Sequence, residues 1–128
     1  MKTIGLLGGM SWESTLTYYQ AINGAVSECL GQLHSAKIIL NNVDFHEIEQ
    51  LQASGDWHRA GEILANAAKS IEAAGADCIV ICTNTMHKVA EQVTNATPLP
   101  LLHIAEATGR KLKQDGIKKL HCWALTSL

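Results

Sequence analysis

The residue types best placed to do chemistry lie in Cys82-Thr83-Asn84-Thr85-Met86-His87-Lys88, directly after the apolar run Cys78-Ile79-Val80-Ile81. A thiol between a buried strand and the start of a helix meets backbone N–H groups and the positive helix end. Both favour a thiolate and can hold a carboxylate. Thr83, Asn84 and Thr85 add side-chain donors beside it. Cys78, four residues earlier in the same run, fits a small buried hydrophobe instead. Two further strand ends carry polar or flexible residues, Gly8-Gly9-Met10-Ser11 and Asn41-Asn42-Val43-Asp44. The same residues also admit a non-catalytic carboxylate-binding or interaction module. A redox-sensing thiol is a third reading, weakened by the lack of a resolving cysteine beside Cys82.

Other chemistries find less support. Cys82 and His87 lie five apart with no second pair to complete a tetrahedral zinc site, so no metal is expected. His34, His46, His58 and His103 are scattered and read as surface or satisfied histidines. The glycine segment is Gly5-Leu6-Leu7-Gly8-Gly9-Met10 rather than GxGxxG, and no compelling ribose-binding acid follows, which argues against a dinucleotide. Trp12 and the Tyr18-Tyr19 pair read as core or rim packing.

These loops need strands and helices to position them. Ile4–Leu7 reads as a buried strand stopped by Gly8-Gly9. Ser11 suits an N-cap, with Glu13 in the first turn. Leu16, Tyr19, Ile22, Val26 and Leu30 recur at helical spacing until Gly31 ends the helix. A second strand covers Ile38–Leu40 with Val43, and a short helix around Ile48 and Leu51 breaks at Ser54-Gly55. Trp57, Ala60, Ile63, Leu64, Ala67 and Ile71 form another helical face, closed by Gly75. The run Cys78–Cys82 shows no alternation, as expected of a strand buried on both faces of a parallel sheet. Met86, Val89, Ala90 and Val93 begin a helix that Pro98 and Pro100 end, before a fourth strand at Leu101–Ile104 and a last helix from Ala105 to Gly116. Such alternation predicts an α/β fold, an open parallel, Rossmann-like sheet with helices on both faces and right-handed crossovers.

Composition narrows the class. The 128 residues match about one domain. They are 47% hydrophobic and 17% charged, typical of a soluble globular protein. A net charge of −2 without a Lys/Arg cluster argues against nucleic acid or an anionic membrane surface. No stretch reaches the ~18 apolar residues of a membrane-spanning helix, and the opening apolar run is too short for a secretory signal. Cys29, Cys78, Cys82 and Cys122 form no CxxC pair, which suits a reduced, cytoplasmic setting.

Three segments in order carry a family resemblance. Ile4-Gly5-Leu6-Leu7-Gly8-Gly9-Met10-Ser11-Trp12-Glu13-Ser14-Thr15 resembles the N-terminal signature of the aspartate/glutamate racemases. Asn42-Val43-Asp44-Phe45 resembles their second-strand motif, and Cys82–Lys88 their first cysteine motif. The resemblance is nearest to the aspartate and broad-specificity amino-acid branch. It implies two similar α/β domains, each offering one cysteine to an opposite face of the substrate α-carbon, with no pyridoxal phosphate, metal or other cofactor. Carried onto this chain, Cys82 is one acid/base thiol. Thr83, Asn84 and Thr85 hold the substrate carboxylate, Met10 and Ser11 line the pocket, and Gln52 is a weaker candidate for the substrate side chain. The implied partner is a small amino acid. A homodimer is allowed, though no residue pattern calls for one.

The resemblance covers residues 1–118, an N-terminal racemase domain, and the family's second Gly-Cys-Thr-Glu-like motif does not occur. The C-terminal domain is therefore expected to be absent. Residues 119–128 depart from the family's next strand, which runs like Val-Ala-Leu-Leu-Gly-Thr. Read one base earlier, the codons of His121-Cys122-Trp123-Ala124 must give Leu-Leu-Gly, and those of Lys119-Leu120-His121 permit Ile or Val, then Ala. That frame echoes Ile4-Gly5-Leu6-Leu7-Gly8, as a duplicated domain would. The expectation is an out-of-frame tail over 119–128 and a chain holding half of a racemase site, inactive alone.

Overall fold

A computed structural model describes residues 1–31, 33–82 and 89–102. The described elements are β1 (Thr3–Gly8), α1 (Trp12–Leu30), β2 (Lys37–Asn42), α2 (Phe45–Ala53), α3 (Trp57–Ala73), β3 (Cys78–Ile81), α4 (Ala90–Ala96) and β4 (Leu101–Leu102). The strands form one parallel sheet in the order β2-β1-β3-β4. The chain steps outward from β1 to β2, then returns past β1 to β3 and on to β4. This reversal puts α1 on one face and α2, α3 and α4 on the other, as a single hand of crossover requires.

Side-chain parity builds two cores. Ile4, Leu6, Cys78, Val80 and Cys82 pack with Tyr18 and Ile22 of α1. Leu7 and Ile79 pack with Leu64, Ala67, Ala68 and Ile71 of α3, together with Ile48 and Val93. The absence of polar alternation in β3 thus has its expected cause, since both of its faces are covered.

Helix ends follow local chemistry. Ser11 is the N-cap of α1, with its side chain accepting the Ser14 N–H, and Gly31 is the C-cap. Asp44 and Asp56 cap α2 and α3, accepting the N–H groups of His46 and Arg59. The buried face of α1 is Thr15, Tyr18, Ile22 and Val26. Leu16 and Tyr19, expected on that face, are 46% and 44% exposed. Thr15 and Tyr18, each one residue earlier, take the buried places at the start of the helix, while Ile22 and Val26 are buried as expected. On the opposite layer, Gly61 lets α3 meet α4 closely. A Cβ there would collide with the Gln92 side chain, whose amide Nε2 donates to the His58 carbonyl at 3.2 Å. The expected strand residues His103-Ile104 and the helix from Ala105 lie outside the described residues.

Candidate active site

A ligand crevice in an open parallel sheet lies beyond the carboxyl ends of the strands, at the point where strand order reverses. Here that point falls between β1 and β3. β1 ends in Gly8-Gly9 and β3 runs out into Cys82. The Cys82 N–H donates to the Leu7 carbonyl at 3.0 Å, extending the ladder past the last paired residue of β3. The expected thiol therefore sits directly beside the glycine turn. Its side chain is fully buried among the residues packed on α1, with Sγ directed to the Val80 carbonyl at 3.9 Å.

Cys78 occupies the opposite end of the same strand, about 13 Å away at ~3.3 Å per residue. Burial pushes its thiol up to about 11, partly offset by the backbone of Gly5. Neighbouring Asp77 raises it a little further. Such a thiol stays protonated and inert near neutrality, in keeping with a packing role. Cys29 is exposed on α1.

The glycine turn is shaped by a residue that the sequence patterns did not single out. Thr15 is 3% exposed, and its hydroxyl oxygen accepts the Gly9 N–H at 3.0 Å while donating to the Ser11 carbonyl at 3.2 Å. Gly9 has φ +95°, and a Cβ there would run into the Val43 carbonyl. Val43 in turn donates its N–H to Gly8 at 2.9 Å. The turn is thus tied on both sides, by α1 and by the extension of β2.

The expected site residues divide into three groups. Cys82 lies at the crevice end of β3. Ser11 is exposed beside the same turn, with its Oγ engaged as the helix cap at 3.4 Å from the Ser14 nitrogen. Met10 is 3% exposed and belongs to the core on the α3 face, whereas Cys82 belongs to the α1-face core. The structure brings these two side chains to opposite faces of the sheet. Gln52 is half-buried on α2. Thr83, Asn84 and Thr85 lie outside the described residues. Among the described residues, no three His, Cys, Asp or Glu side chains gather in a group that could hold a metal ion. No described helix is long and apolar enough to cross a membrane.

The reversal of strand order, with a glycine turn and a cysteine at adjoining strand ends, defines an open α/β domain. Comparison with known proteins gives the family. Residues 7–125 match the family described as Asp/Glu/Hydantoin racemase, and the chain belongs to it. A crystal structure of a Yersinia pestis protein proposed to be an Asp/Glu racemase superposes with a TM-score of 0.80 at 64% identity. The match covers 91% of this chain and 50% of that one. An aspartate racemase homologue from Pyrococcus horikoshii OT3 gives 0.75 at 35% identity, covering 81% of this chain and 45% of that one. The chain therefore spans about half the length of these two structures.

Proposed function

We propose that this chain supplies one half of a cofactor-independent amino-acid racemase, with aspartate, glutamate or a broader set of amino acids as substrate. The observation that carries the reading is the placement of Cys82 at the crevice end of β3, held against β1 by the 3.0 Å bond to Leu7. Family membership supports it.

In the proposed reaction the Cys82 thiolate removes the α-proton, and its sulfur becomes a thiol as the C–H electron pair stays on carbon. A second thiol, from the half not present in this chain, delivers a proton to the opposite face and becomes the thiolate. No electrons leave the system, so neither oxidant nor reductant is needed. The α-proton is weakly acidic, and donors at the crevice must stabilise the negative charge that develops. Thr83, Asn84 and Thr85 are proposed for the substrate carboxylate, with Ser11 and Met10 in the pocket and Gln52 toward the substrate side chain. The Met10 side chain lies in the core on the other face, so its proposed part falls to the backbone of the Gly9–Ser11 turn.

Inversion needs a donor on each face, so the 128-residue chain alone is expected to be inactive as a racemase. Incubation with L- and D-aspartate and L- and D-glutamate in D₂O tests this. Enantiomer interconversion by the purified chain would overturn the half-site proposal. Single-face deuterium exchange that disappears in Cys82→Ser would support Cys82 as the base. The coding DNA beyond codon 128 tests the companion proposal that residues 119–128 are translated out of frame. A shifted frame lacking a second Cys-Thr-Glu motif would end it.

A further inference from the structure

A concavity lies one strand away from Cys82, between the carboxyl ends of β1 and β2. It measures about 380 Å³ and is lined by Gly9, Trp12, Asn42, Val43, Asp44 and Phe45. It shares only the Gly9 backbone with the residues proposed for the racemase site. Its size falls within the range of small-molecule sites. Gly9 and Val43, two of its lining residues, lie in close contact. Trp12 stands at its rim with 64% of its surface exposed, which is unusual for so large an apolar side chain.

The charge of the lining decides what it would take. Among the described residues, Asp44 is its one ionisable group and no Lys or Arg contributes. The starts of α1 and α2 adjoin the cleft and would by themselves favour an anion, each with roughly half a positive charge. Their first turns are already served by side chains. Ser11 accepts the Ser14 N–H, and Asp44 Oδ1 accepts the His46 N–H at 3.1 Å. The two helix starts together come to about one positive charge, which the Asp44 carboxylate balances, and Glu13 and Glu47 in the two first turns make the sum negative. An anion is therefore repelled. A cation meets a carboxylate with a second oxygen to offer, an Asn42 amide and the exposed face of an indole.

We propose that the cleft between β1 and β2 is a binding site for a small organic cation, an alkylammonium or alkylguanidinium group. The charged head sits between Asp44 and Asn42, and the alkyl chain lies across Trp12. This site does not rest on the racemase reading, since its lining does not include Cys82.

Agmatine, which carries both head groups, is the probe, and succinate is the anionic control. The full 128-residue chain, labelled with nitrogen-15, is titrated while the Trp12 indole N–H resonance is followed, with Trp12→Phe assigning the signal. Agmatine is expected to shift that resonance saturably, and succinate to leave it in place. Asp44→Asn keeps the helix cap, because Asn caps as well as Asp, yet removes the charge. It is expected to weaken agmatine binding about tenfold. Trp12→Ala, followed by calorimetry, is expected to weaken it about threefold. The proposal is overturned if agmatine leaves the Trp12 signal unmoved, if succinate binds as well, or if Asp44→Asn with unchanged circular dichroism binds as tightly as the parent.

Discussion

The amide of Cys82 is bonded to the carbonyl of Leu7, 3.0 Å away on the neighbouring strand. This bond makes the thiol's backbone a continuation of the central β1–β3 pairing. The next residues along β1 are Gly8 and Gly9, so the cysteine and the glycine turn share one rigid edge. The proton-transfer role proposed for Cys82 would gain from such support, since misplacement by an ångström is costly in rate.

The turn itself depends on Thr15. Thr15→Val keeps the shape but removes the hydroxyl, leaving the Gly9 N–H without its partner at a buried position. Chemical denaturation should show a loss of about 1–3 kcal/mol. An unchanged midpoint would mean that the hydroxyl does not hold the turn.

Gly9→Ala should be worse. Its φ of +95° disfavours any Cβ, and the added methyl meets the Val43 carbonyl. Both effects act together, so a loss of more than about 2 kcal/mol is expected, measured by the same denaturation. Gly24→Ala is the control, because nothing lies within 4 Å of a Cβ there and its mid-helix position favours alanine.

Stability should fall in alkali through Cys78. Its thiol is raised from 9.0 to about 11 in the fold. Between these values the unfolded chain has released the proton and the folded chain has kept it. Folding stability is therefore full below pH 9 and declines as pH rises toward 11, by about 2–3 kcal/mol. Cys78→Ala should flatten this slope while costing some packing at every pH. A slope equal to the parent's between pH 9 and 11 would rule the cysteine out as its source.

Thiol accessibility gives a further test. Cys29 is exposed, whereas Cys78 and Cys82 are buried. Brief treatment with N-ethylmaleimide, followed by peptide mass spectrometry, should find Cys29 modified before Cys78 and Cys82. A local opening of about 2 kcal/mol would slow these two roughly thirtyfold. Equal labelling of Cys29 and Cys82 would contradict the closed packing around Cys82.

Much of this architecture is legible along the chain because it is written in local chemistry. Ser11, Gly31, Gly55 and Gly75 mark helix ends by their own conformational preferences, and the unbroken apolar run of β3 reports two covered faces. The buried stripe of α1 was less legible. Leu16 and Tyr19 are as apolar as their neighbours, and only the position of the sheet decides that Thr15 and Tyr18 turn inward instead. Met10 shows the same limit. It follows a glycine with positive φ, which breaks the strand's alternation and sends the side chain to the α3 face. Thr15 and Asp44 matter through backbone partners and a neighbouring strand end, for which their sequence neighbours give no periodic signal. The position of Cys82 at the end of a strand buried on both faces is legible, because the apolar run that precedes it is local sequence.

The meeting of Gly61 with Gln92 protects a hydrogen bond more than a volume. A side chain at position 61 would push aside the far end of the flexible Gln92 side chain, and with it the amide that donates to the His58 carbonyl. The tie between the first turn of α3 and α4 would be lost while the two helices could still pack. Glycine at 61 thus acts as a keeper of a polar latch between the layers.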